Sequence, residues 1–304
     1  MFPTLLVRLL VAATIFLGGW VLVSAAGTLH SADGSGGLTL MMSHAGVLPA
    51  LLIVLVAAIP AIAMSLLCSS IANPLTGIFS LTTALWFLSA KGDTIDAWIR
   101  RNDASLPGDY MRLAMEVILW AAMLTGFIFL ITLLRPRIRT ALPMLAREPH
   151  LGEEPTLRRS WLPVAVSTLV TAIVAGILAS FLLRTPDKGQ IIGGLILSFM
   201  VGGLVGDLAC TFLFQRHPAN PMGLILAPSL VAITGYLLAV SGYRDGTEFL
   251  KAYYDTKAAG LALALPMDYA SAGVAGCALG AGWAQVMLHG EQPMAATVPT
   301  VNPS

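Results

Sequence analysis

Apolar stretches of membrane-spanning length recur along this chain, and they constrain its fold more than any other feature. A hydrocarbon core about 30 Å thick is crossed by about 20 apolar residues in a helix. Eight stretches reach or approach that length, at roughly 4–26, 47–69, 74–90, 113–134, 161–183, 189–214, 222–243 and 269–288. The third is near the lower limit. Hydrophobic residues fill 57% of the 304 positions and charged ones only 11%. Soluble domains carry about a quarter charged residues, so the chain reads as an integral membrane protein. A net charge of +1 argues against the electrostatic footprint that nucleic-acid binding requires.

Two markers recur in order among these stretches. Ala72-Asn73-Pro74-Leu75 returns as Ala219-Asn220-Pro221-Met222, each time between two apolar segments. Leu106-Pro107-Gly108-Asp109-Tyr110 returns as Leu265-Pro266-Met267-Asp268-Tyr269, each time before an apolar segment. The offsets of 147 and 159 residues differ by about a dozen, which the second copy holds between its markers. The expected fold is therefore an all-α polytopic membrane protein. It has about eight transmembrane helices as a tandem parallel repeat of two four-helix units, with short interfacial amphipathic helices. The units are 1–134 and 161–288, joined by a basic linker at 135–160 and followed by a disordered tail at 289–304.

Arg8 before an apolar run, with Ser24-Ala25-Ala26 after it, resembles a signal peptide. Span five holds the same place in the second copy, so the first span is read as a retained helix. The linker carries Arg135, Arg137, Arg139, Arg147, Arg158 and Arg159, and basic loops face the cytoplasm. Over the whole chain basic residues divide almost evenly, eight on the linker side and nine on the other, so the density of the linker run is what sets the orientation. The expected setting is a bacterial cytoplasmic membrane with both termini cytoplasmic.

Each marker has a structural reading and a functional one. Asn73 and Asn220 make good N-caps, and a proline after them lacks the N–H that a helix start leaves unsatisfied. The alternative is a gate or ion site built from their amides. Asp109 and Asp268 can cap spans four and eight at the positive ends of their dipoles, with Tyr110 and Tyr269 at headgroup level. The alternative is a pair of carboxylates flanking an outer cation mouth. Before each such marker lies an amphipathic segment, carrying Ile95, Trp98 and Ile99 in the first copy. The second carries Phe249, Leu250, Tyr253 and Tyr254. That pattern suits a short helix lying in the interface.

Ionisable residues within spans are costly and are functional candidates by default. Asp207, about seven residues inside span six, is the strongest, as a proton or cation site or else as a paired or water-solvated structural carboxylate. The first marker's offset places Pro60 opposite it. Glu116, one turn into span four, can snorkel outward, as can Arg8. Gly202 and Gly206, and Gly276 and Gly280, have the spacing that lets helices approach closely, within one copy or against another subunit.

Enzymatic signals are poor. No His-Glu-x-x-His, nucleotide-binding Gly-Lys-Ser/Thr or paired cysteine spacing occurs, so no catalytic residue, metal or cofactor is expected. Parallel repeats are similar in plan to transporters whose sites form where the copies meet, an analogy of fold alone. The leading expectation is a secondary transporter or permeation protein with a site between the repeats near Asp207. The alternative is a non-catalytic subunit of a larger membrane complex, partnered by other membrane subunits or by itself within the lipid bilayer.

Overall fold

The computed structural model describes residues 2–29, 39–41, 43, 45–96, 99, 106–141, 161–214, 221–243, 246–255 and 257–289. The described elements are all helical. They are α1 (Leu5–Ser24), α2 (Val47–Ile71), α3 (Pro74–Lys91), α4 (Leu106–Ala141), α5 (Trp161–Leu182), α6 (Lys188–Phe214), α7 (Pro221–Ser241), α8 (Gly246–Tyr254) and α9 (Pro266–Leu288). Seven of them, all but α3 and α8, are long and apolar enough to cross a membrane, which makes the chain a helical integral membrane protein. Exposed Phe16, Trp20, Val56, Ile118, Ile173 and Phe181 give it the apolar outer surface that lipid requires.

The expected third span, α3, is the one that falls short. Ser80, Thr82, Thr83 and Ser89 lower its hydropathy, and all four are buried. Their position explains the composition. α3 is surrounded by α1, α2 and α9, so it faces protein rather than lipid. Within helices such hydroxyls bond back to the preceding turn, as Thr82 does to Ile78 (2.9 Å) and Thr83 to Phe79 (2.7 Å). Close approach is supplied by Gly77, whose missing Cβ would stand 2.6 Å from that of Ser69.

Apolar packing falls into two clusters that share their helices. One draws on α1, α2, α3 and the latter half of α4, and it takes in Met267, Ala270, Val274 and Ala278 of α9. The other draws on α5, α6, α7, α8 and α9, and it takes in Tyr110, Leu113, Ala114 and Val117 from the start of α4. Correspondingly, α9 packs on α3 and α4 packs on α7. Between lipid-solvated helices, tight van der Waals packing replaces the hydrophobic effect as the main attraction.

Two ends of the bundle can be distinguished by their bonds. At one, α2 turns into α3 through Ala72 and Asn73. Asn73 Oδ1 accepts from the Thr76 N–H (2.8 Å) and the Thr76 hydroxyl (2.9 Å), with Pro74 beginning the helix. Asn220, its expected counterpart, lies outside the described residues. α4 runs past its expected end to this level, where Arg135 Nε donates to the Ser69 carbonyl and Arg139 Nε to that of Ser70, both at 3.0 Å. These carbonyls lie in the last turn of α2, where a helix leaves acceptors unsatisfied and favours positive charge.

The opposite end, marked by Lys188, gathers the close of α3 and the starts of α4, α6 and α9. α8 lies here, and its aromatic face is divided, with Tyr254 exposed and the other rings turned inward. Phe249 and Tyr253 are buried, and the Phe249 ring lies 5.2 Å from that of Tyr110 and 5.1 Å from that of Tyr243. Ile95 and Ile99 of the first amphipathic segment are likewise buried, while Trp98 lies outside the described residues. These faces cover the bundle's own core.

Candidate functional site

Asp207 stands on α6 between two seams. Gly202 and Gly206 face α5: a Cβ at Gly202 would meet the Thr171 carbonyl at 2.8 Å, and one at Gly206 would meet Thr171 Oγ1 at 2.1 Å. Gly203 faces α9, its missing Cβ 2.8 Å from the Cys277 carbonyl. Asp207 follows Gly203 by one helical turn and so shares that face. The α9 side is equally bare, since Cβ atoms at Gly276 and Gly280 would meet the Ile196 and Met200 carbonyls at 2.6 and 2.1 Å. All four expected packing glycines are therefore spent inside the chain, on α5–α6 and α6–α9 contacts.

Within this glycine-faced packing Asp207 is only 5% exposed, and its Oδ2 has no hydrogen-bond partner among the described residues. A buried polar atom left unbonded costs about 1–3 kcal/mol, and more when it carries charge. Thr168 Oγ1 on α5 and Ser198 Oγ on α6 share this condition. Asp207 is seven residues from the end of α6, a rise of about 10 Å.

The other candidates are fully engaged. Glu116 was expected to snorkel outward near the start of its span. Instead α4 begins ten residues earlier, at Leu106, and leaves Glu116 wholly buried. Glu116 Oε1 accepts from Trp120 Nε1 at 3.2 Å, and its Oε2 from the Met41 N–H at 3.1 Å, tying the segment 39–41 to α4. Asp109 is buried and pairs with Arg112 at 3.1 Å.

Asp268 holds the densest polar cluster. Its Oδ1 accepts from Lys188 Nζ at 2.7 Å and from the Ser89 hydroxyl, and its Oδ2 accepts from the Leu265 N–H at 2.9 Å. The expected cap is thus present in altered form: Asp268 lies inside the first turn of α9 and reaches back to the residue before it. Lys188 Nζ also donates to the Asp93 carbonyl at 3.4 Å. Lys188 and Ser89 escaped the sequence reading, because charges and hydroxyls at helix ends read as ordinary interface residues.

Tyr110 and Tyr269, expected at headgroup level, are each 1% exposed. Their hydroxyls donate to Ala262 (3.4 Å) and Leu261 (2.7 Å), and the Tyr236 hydroxyl donates to Ala264 (2.7 Å). These carbonyls belong to the turn Gly260–Leu263 and the residues leading into α9. The physical reason is an obligation: carbonyls buried outside a regular helix must find donors, and three phenols provide them.

Among the described residues no group of three or more His, Cys, Asp or Glu is placed to hold a metal. The two expected mouth carboxylates are both buried, Asp109 beside Arg112 and Asp268 beside Lys188 and Ser89. No protein-family model matches the chain, and no curated protein or solved structure is significantly similar to it.

Proposed function

We propose that the chain is a secondary transporter or permeation protein in which Asp207 binds a proton or small monovalent cation. The observation that carries this reading is the Oδ2 of Asp207, which has no hydrogen-bond partner among the described residues and belongs to a residue 5% exposed in a membrane-spanning helix. A carboxylate kept there without hydrogen-bond compensation is a stability burden, and a transported ion or proton supplies the missing partner. The site lies on the α6–α9 seam, and α9 also packs on α3 of the first half. A docking subunit would present its glycine faces outward, whereas these are turned inward.

The reading includes a tandem duplication. Two short markers recur, and the reciprocal pairing of α9 with α3 and of α4 with α7 is the exchange a pseudo-twofold relation requires. On that relation α3 is an eighth crossing. Its 18 residues span about 27 Å at 1.5 Å per residue, close to the hydrocarbon thickness of about 30 Å. The basic run Arg135, Arg137 and Arg139 supports a cytoplasmic setting for the Asn73 end, and with it for both termini.

The test is proton- and cation-dependent uptake in reconstituted vesicles. Asp207→Asn abolishes it on this reading, and unaltered flux removes Asp207 from the mechanism.

A further inference from the structure

We infer that Asp268, Lys188 and Ser89 form a reversible clasp that closes the Lys188 end of the α6–α9 seam and locks it to α3. The inference builds on the transport reading but is read out without flux. Three helices meet in the clasp. Ser89 comes from the last turns of α3, Lys188 is the first residue of α6, and Asp268 lies in the first turn of α9. Asp268 is buried to 1% while the Lys188 side chain keeps 15% of its surface, so Lys188 is the side through which water reaches the cluster.

Charge and geometry distinguish a clasp from a passive staple. A buried ion pair yields little net stability over apolar replacements of similar shape, because desolvation offsets its attraction. Its holding power depends on both charges being present together, which makes it a contact that can be switched. Along much of the seam behind it Gly203, Gly276 and Gly280 put backbone against backbone, and near the clasp the Phe199 ring of α6 stands edge-on to Tyr269 of α9 at 6.3 Å. The same seam carries Asp207 near its far end. Further ties between the halves reinforce this end: Lys188 to the Asp93 carbonyl, Tyr253 to Asp96 at 3.1 Å, and Tyr110 to Ala262. The structure is therefore the state closed at the Lys188 end, and clasp release admits water to the seam.

Native cysteines report on this directly. Cys277 lies in the seam against Gly203 and is completely buried; Cys68 on α2 and Cys210 near the Asn73 end of α6 are also completely buried. The full chain in lipid nanodiscs is treated with a membrane-impermeant methanethiosulfonate, and labelling at each cysteine is followed by peptide mass mapping. Two variants are compared with wild type: Asp268→Asn, and the double variant Lys188→Met/Asp268→Asn, which leaves no unpaired charge. With the closing contact removed, a minor open state becomes a major one, and Cys277 labels at least about tenfold faster while Cys68 and Cys210 keep their wild-type rates. The clasp is overturned if Cys277 keeps its wild-type rate in the double variant, or if all three cysteines rise together there, which marks a staple holding the fold. A selective Cys277 response in a protein that transports nothing sinks the transport reading and leaves the clasp standing.

Discussion

Replacing Gly280 by alanine tests the α6–α9 seam with a single methyl group. That methyl would lie 2.1 Å from the Met200 carbonyl oxygen and 2.7 Å from the Leu204 nitrogen. Both belong to helix backbone, so neither can rotate away as a side chain would. To recover an ordinary 3.4 Å contact, α9 must move off α6 by more than 1 Å. A gap of ~0.5–1 Å already forfeits about a quarter to a half of each dispersion well, and the loss extends to the Gly276 and Gly203 contacts. Overpacking of this kind costs about 1–3 kcal/mol. Taking ~2 kcal/mol, the apparent melting temperature of a 304-residue chain falls by ~3 °C. Gly282 is the matched control, two residues on in the same helix, where an added Cβ has nothing within 4 Å. Gly282→Ala leaves melting unchanged or slightly raised, as helix propensity favours alanine. The assay is the fraction of protein that stays monodisperse in detergent after stepwise heating. Gly280→Ala melting with Gly282→Ala and the wild type would refute the packing argument.

Three further outcomes follow from particular bonds. Arg139→Gln withdraws a charged donor from the Ser70 carbonyl and lowers stability by about 1.5–3 kcal/mol in the same heating assay, whereas Arg137→Gln, an exposed residue on the same helix, has little effect. Asn73→Ala removes the cap of α3 and costs about 1 kcal/mol, seen as earlier loss of amide-exchange protection in the first turns of α3. Asp268→Asn alone, which strands the half-buried Lys188 ammonium, is less stable than the double variant Lys188→Met/Asp268→Asn. A double variant that adds the two losses would show that the charges act independently.

How far the sequence disclosed this fold depends on the kind of contact involved. Helix positions were legible because apolar runs report their own length, and the Asn73-Pro74 start because capping is local chemistry. The glycine spacings on α6 and α9 announced close approach, although only the structure assigns Gly202 and Gly206 to α5, and Gly276 and Gly280 to α6. α3 was judged by average apolarity, which records composition but not whether a helix faces lipid or protein. The site was less legible. Asp207 stood out as an isolated charge, but its missing partner is a fact of packing. The Ser89–Asp268 bond joins residues 179 positions apart, and Met41 reaches Glu116 across 75. No local pattern encodes such meetings. The burial of Tyr110 and Tyr269 was not legible, because an amphipathic ring at a helix start suits a headgroup region or a buried turn rich in carbonyls equally well.

The central claim is that Asp207 is retained for ion or proton binding at a cost to stability. The most direct measurement takes Asp207→Asn through melting and vesicle uptake in one preparation. Asparagine removes the charge while keeping the shape, so the account predicts melting equal to or above that of wild type together with lost proton- or cation-dependent uptake. Lower melting with uptake preserved would contradict it, and would make Asp207 a structural carboxylate.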